Sequence, residues 1–229
     1  MNKIDVMSQI EEELTWRIDE FYFFKNQLSK IEKESDRDRY RKSLVVMLYS
    51  YYEGFCKSGF KVYVNAINSE KLPRSEVNIF IRTVSLNDIF LEYGNESQKD
   101  IRFKKQLPED KKLHKYSRQI TFLEQFSIFL NEIVNIPDEV VDTESNLNPV
   151  VLKKILYRLG FPFENIELLE NTINKLLNYR NGIAHGSHKI GINEQAYKEL
   201  EEDVINLMQS VRKIIIDAIQ YDLFLKEKE

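Results

Sequence analysis

Arg180 and His185, five positions apart at the end of an otherwise apolar helical stretch, are the residues of this chain whose types could carry out a reaction. RNA can be cut without a metal, because the ribose 2′-hydroxyl is already a nucleophile. A protein then has to move protons and stabilise the charge that builds on the phosphorane. Histidine suits the first task near neutral pH, and a permanently charged guanidinium suits the second. At about 100° per residue, Ile173, Leu177 and Ala184 fall on one stripe, flanked by Leu176 and Ile183, with Arg180 in its middle. A guanidinium buried there requires a partner or a waiting anion. Gly186 suits the position just past a helix end, which puts His185 in the last turn, where the helix dipole favours positive charge. Asn181 and His185 are four apart and share a face, so Asn181 can assist by hydrogen bonding. Arg180 and His185 lie about 140° apart on an ideal helix. For both to act on one phosphate, the helix must unwind near Gly182 or Gly186, or a second subunit must contribute. From spacing alone, a capping histidine and an ion-paired arginine are the commoner reading.

Other residues could support the pair. Glu53 sits among apolar neighbours on a helix expected to be buried, and an unpaired carboxylate there would be costly. Arg180 is one cation it could meet, and Lys57, one helical turn on, is the other. Tyr179, beside the motif, could stack on a base. His185 and His188 would make half a metal site, but no cysteine or carboxylate cluster completes it, so neither metal nor cofactor is expected. There is no glycine-rich phosphate loop, and Ser187 beside the histidine belongs to no nucleophile–base–orienter trio.

The elements that must hold these residues read as helices throughout. The 229 residues are 42% hydrophobic and 31% charged, with only 7 Gly and 5 Pro to interrupt helices. A heptad pattern runs Met7, Ile10, Leu14, Arg17, Phe21, Phe24, Leu28, Ile31, broken only by Arg17, whose stem can pack while its head reaches water. Ser35 or Asp36 is a plausible N-cap for a second helix to about Asn68, apolar nearly all round and so the buried centre. Phe122, Leu123, Phe126, Phe129, Leu130 and Ile133 mark one face of a third, ended by Pro137. A short helix at about 150–159 is closed by Gly160 and Pro162, and the next spans about 165–185. From Tyr197 to Leu225 an unbroken 3-4 repeat predicts one long helix. No strand-type alternation competes. The expectation is an all-α chain, one helical bundle over residues 1–229 with a long C-terminal helix and a short-helix and loop insertion at about 70–116.

The net charge of −4 argues against a protein that binds nucleic acid by overall positive charge. Between Lys99 and Arg118, however, eight basic residues stand against three acidic ones, either a solvated insertion or an arm that contacts phosphates. No segment approaches a membrane span, Glu11 to Glu13 interrupt any signal pattern, and Cys56 has no partner for an internal disulfide. A reducing, cytoplasmic setting is expected.

The run Arg180-Asn181-Gly182-Ile183-Ala184-His185 resembles the R-x4–6-H motif of the HEPN superfamily, including the polar residue after the arginine. Ser43 to Lys57, with Glu53-Gly54-Phe55-Cys56-Lys57, resembles the early-helix Glu-Gly-Phe-x-Lys signature of the MAE-type subgroup, and Ser145-Asn146-Leu147 ahead of Leu156 to Gly160 resembles its approach to the motif. The resemblance implies a HEPN-like bundle, usually dimeric, in which two motifs meet at the dimer interface. It implies a metal-independent endoribonuclease of a toxin–antitoxin or phage-defence system, with RNA as substrate and an antitoxin or defence-system protein as partner. Arg180 would clamp the phosphate and His185 would be the general acid or base. Some HEPN domains bind a nucleotide or a partner protein without cleaving, which is the alternative.

Overall fold

The computed structural model describes residues 1–97, 99, 110–163, 167–187 and 191–227. Among these residues eight α-helices form and no strand. They are α1 (Lys3–Lys25), α2 (Glu34–Ser69), α3 (Ile79–Ser85), α4 (Asn87–Gly94), α5 (Lys111–Asn131), α6 (Pro149–Leu159), α7 (Glu167–Ala184) and α8 (Glu194–Gln220). Single 3-10 turns follow α1 at Asn26–Lys30 and precede α6 at Asp138–Val141. Asparagines begin several helices by accepting an early backbone N–H: Asn2 from Ile4, Asn148 from Val151 and Asn193 from Ala196.

α1, α2 and α8 pack on one another, α7 lies against α2 and α8, and α6 joins α3 and α7. α2 is the centre of this bundle, with Tyr52, Phe55, Phe60 and Cys56 fully buried. It begins at Glu34, not at Ser35 or Asp36, and Lys33 at its cap makes no side-chain hydrogen bond. The buried Arg41 holds that first turn instead, donating from Nη1 to Glu34 at 2.8 Å and Asp38 at 2.5 Å.

Three further expectations are corrected. Arg17 does not send its head to water: it is 8% exposed, donates to the Glu13 carboxylate at 2.6 Å, and lies 4.3 Å from the Trp16 ring centroid. A buried guanidinium keeps its charge, so it has drawn in a carboxylate and an aromatic face. α8 stops at Gln220. The apolar repeat runs past it, but Tyr221 is exposed, Asp222 takes a positive φ of 51°, and the chain turns back so that Phe224 O accepts from Asn78 N at 2.8 Å.

The third correction concerns α5. Its apolar face does not enter the principal core, and Leu123 is 71% exposed. Phe122 packs instead against Phe90 and Tyr93 of the α4 segment, at centroid distances of 5.9 and 5.6 Å, and against Phe126 and Phe129 of its own helix. α4 and α5 therefore make a small aromatic lobe beside the bundle. The lobe is fastened by Arg74, which bonds Ser85 Oγ, Phe129 O and Glu132, and by Ser85 Oγ, which also accepts from Asn135 N. Lys111, Lys112 and Lys115 lie exposed on the first turns of α5, whereas Lys104, Lys105 and Pro108 of the predicted insertion lie outside the described residues.

No helix among the described residues is long and apolar enough to cross a membrane.

Candidate active site at the end of α7

The first half of α7 is core, with Ile173, Leu176 and Leu177 buried. Further on the helix leaves the bundle. Tyr179 to Ile183 are half-buried, and Ala184 to Ser187 are exposed, so Ala184 does not join the apolar stripe its spacing predicted. Gly186 takes φ +74°, the left-handed conformation that glycine adopts freely, and terminates the helix.

The helix does not unwind at Gly182. His185 N still donates to Asn181 O at 2.9 Å, and the chain leaves helical geometry only at Gly186, whose N donates to Ile183 O at 3.2 Å. His185 is therefore held in helical register one turn after Asn181, facing solvent, while Arg180 points towards α2. Beyond the motif the chain is fastened again at the start of α2: Ile192 N donates to Asp38 O at 3.1 Å. Gly191 approaches so closely there that a Cβ would lie 2.3 Å from Asp38 Cβ, which only glycine permits.

Arg180 rests on an aromatic floor. Its guanidinium carbon lies 4.7 Å from the ring centroid of Tyr49, and its Nη1 donates to Asn181 Oδ1 at 2.8 Å. A contact of this kind contributes about 0.5–2 kcal/mol, rising with desolvation, enough to bias one orientation of a flexible side chain. The Asn181 bond is the one hydrogen bond of Arg180 among the described residues, so most of its donors remain for an anion.

Tyr49 is 2% exposed, and its hydroxyl accepts from Leu147 N at 3.1 Å. Burial pushes its pKa up first and the Glu53 carboxylate adds to it, while the Leu147 bond and Arg180 pull it down, leaving it at about 12. Tyr49 is thus neutral at physiological pH. Glu53, one turn along α2, is half-buried and forms an ion pair within 4.0 Å with neither Arg180 nor Lys57 among the described residues. Its charge is felt at the hydroxyl of Tyr49, the same residue whose ring lies under Arg180.

The structure thus joins Arg180 to Asn181 and to Tyr49, whose hydroxyl feels Glu53, with His185 at the exposed end of the same helix. Lys57 is exposed and takes no part, and Tyr179 packs partly against the core. His188 lies outside the described residues, among which no group of three or more His, Cys, Asp or Glu could hold a metal. Cavities of about 450 Å³ beside α4 and α5 and about 750 Å³ beside α3 and α4 share no residue with this site. The end of α7 is an exposed rim, a shape that admits a polymer more readily than it encloses a small molecule.

Tyr49 was missed in the sequence, where one aromatic in an apolar helix reads as core. The available signal was its i, i+4 spacing from Glu53. A family model described as RiboL-PSP-HEPN matches residues 12–217, a span that contains Glu53, the 145–147 turn and the α7 motif. No curated protein and no solved structure matches.

Proposed function

The chain belongs to the RiboL-PSP-HEPN family, and from that premise we propose that it is a metal-independent endoribonuclease whose site is completed by a second copy of itself. The match names this family and not the MAE-type subgroup. The observation that carries the reading is the unbroken end of α7, with an arginine seated against α2 and a histidine in solvent about 140° round the helix. One chain then offers a charge clamp and a proton-transfer group to different directions. A twofold axis beside α7 supplies the missing group of each pair from the partner, because a twofold interface presents the same patch from both sides.

In this reading the Arg180 guanidinium receives the scissile phosphate on the donors left free by Asn181. It neutralises the phosphorane as the 2′-hydroxyl attacks. His185 moves the proton, either from the nucleophile or to the departing 5′-oxygen. Asn181 holds the clamp. A toxin or phage-defence role, with an antitoxin or defence-system protein as partner, follows from the same resemblance.

RNA incubated in EDTA is expected to be cut and to carry 2′,3′-cyclic phosphate ends, while DNA of the same sequence stays intact for lack of the 2′-hydroxyl. RNA that is bound but never cut, with or without metals, would replace this reading by a binding module without activity.

Subunit mixing tests the shared site. Arg180→Ala and His185→Ala are each expected to be inactive alone. Unfolded and refolded together in equal amounts, they should recover on the order of a quarter of wild-type activity, since half the dimers are mixed and each mixed dimer holds one complete pair. No recovery, with mixed dimers demonstrated, would place both groups of a pair in one chain.

A further inference from the structure

Three segments far apart in sequence meet at one side chain. The Tyr49 ring lies beneath Arg180 of α7 at 4.7 Å, its hydroxyl accepts from Leu147 N in the turn before α6 at 3.1 Å, and Glu53 of its own helix acts on that hydroxyl. Tyr49 itself is fixed: it is 2% exposed and meets Tyr52 edge to face, with centroids 6.5 Å apart. The turn that holds its hydroxyl is also shaped for the task, since Glu144 and Ser145 both take positive φ, 52° and 54°, and Leu147 is buried behind them. Among the described residues Arg180 has one hydrogen bond, to the side chain next to it in sequence. Nothing in that bond relates the guanidinium to the rest of the bundle. The Tyr49 ring does.

We propose that Tyr49 is a positioning residue for Arg180, its ring fixing the guanidinium over α2 so that the free donors meet the phosphate in one orientation. The proposal rests on the ribonuclease reading for its catalytic consequence, and on geometry alone for the contact itself. A guanidinium stacks on an aromatic face without using its N–H donors, so a ring can orient the clamp while leaving it able to bind. A carboxylate in the same place would consume those donors. Burial and the Tyr52 ring hold the Tyr49 ring in place, and the Leu147 bond ties the turn before α6 to its hydroxyl.

The test separates ring from hydroxyl and contact from catalysis. Tyr49→Phe keeps the ring, and Tyr49→Met fills similar space without one. In the phenylalanine variant kcat should stay within about threefold of wild type while the melting temperature falls, because Leu147 N–H loses its acceptor. In the methionine variant kcat should fall on the order of 10- to 100-fold with KM nearly unchanged, the mark of a misdirected clamp and not of a lost binding surface. The second readout needs no activity. The Arg180 Nε–H resonance, assigned by its disappearance in Arg180→Lys, should lie upfield in wild type from the ring current, stay there in Tyr49→Phe and move downfield in Tyr49→Met. A wild-type Nε–H at its unperturbed position overturns the proposal, even if the methionine variant fails to fold. So does a folded methionine variant with wild-type kcat. A wild type that shows the upfield shift but cuts no RNA removes the ribonuclease reading and leaves the positioning contact standing.

Discussion

Replacing His185 by alanine is expected to lower the rate of RNA cleavage by roughly two to four orders of magnitude, the range for losing a positioned acid or base. The side chain is exposed at the helix end, so its removal uncovers no core and leaves no cavity. The fold should be untouched, and the loss should fall on kcat. Arg180→Lys should be severely impaired as well. An ammonium carries the charge but cannot lie flat on the Tyr49 ring, bond Asn181 and still present a planar fork to two phosphate oxygens. Single-turnover cleavage in EDTA, with the melting temperature measured on the same samples, checks both variants. Metal-dependent cleavage that survives His185→Ala would place the active site elsewhere.

The largest expected effect on stability lies in α2. Phe55 is fully buried, and it lies near the point where Gly59 brings Ile215 of α8 close. Phe55→Ala removes an aromatic ring from the packed centre and leaves a cavity that helices anchored on both sides cannot collapse around. The expected cost is about 3–5 kcal/mol. A domain of this class has about 5–15 kcal/mol in total, so the variant should retain much less of its stability. In a chain of this length each kcal/mol moves the melting temperature by about 2–4 °C, so urea and thermal melts should both show the loss plainly. A shift of less than about 1 kcal/mol would mean that the centre of the bundle is not where the burial of α2 puts it.

The bundle was largely legible in the sequence because its signals are local. A continuous apolar surface marks α2, and the 3-4 repeat marks α8 up to Ala218. What could not be read depended on which neighbour a helix meets. The apolar face of α5 has the same spacing as a core face, but its partners are Phe90 and Tyr93 of the lobe, not the bundle. The head of Arg17 was expected in water because its long stem can reach there, and Glu13 and Trp16 give it a reason to stay in. The site divides in the same way. Arg180, Asn181 and His185 are neighbours on one helix, so their spacing alone shows their relation. Glu53 was expected to meet Arg180 or Lys57 on charge grounds, and Tyr49, which touches Arg180 and feels Glu53, could only be found once α2 and α7 were packed together. The 140° separation of Arg180 and His185 was itself legible, and the unbroken helix turns it into an argument for a second subunit.

The fastening of the α4–α5 lobe has a consequence for how this fold can diversify. Ser85 Oγ accepts both from Arg74 and from Asn135 N, so the chain leaves the bundle and returns to it at one point. Since the two ends already meet, residues between them, short of Phe129 and Glu132 that Arg74 holds, can be added or deleted without moving any helix of the bundle. Closing a longer excursion costs little, about 0.6 kcal/mol for each doubling of its length. The segment between Ser85 and Phe129 is thus where insertions, deletions and new surfaces are tolerated, while α2 and α7 must keep their lengths to hold Tyr49 beneath Arg180.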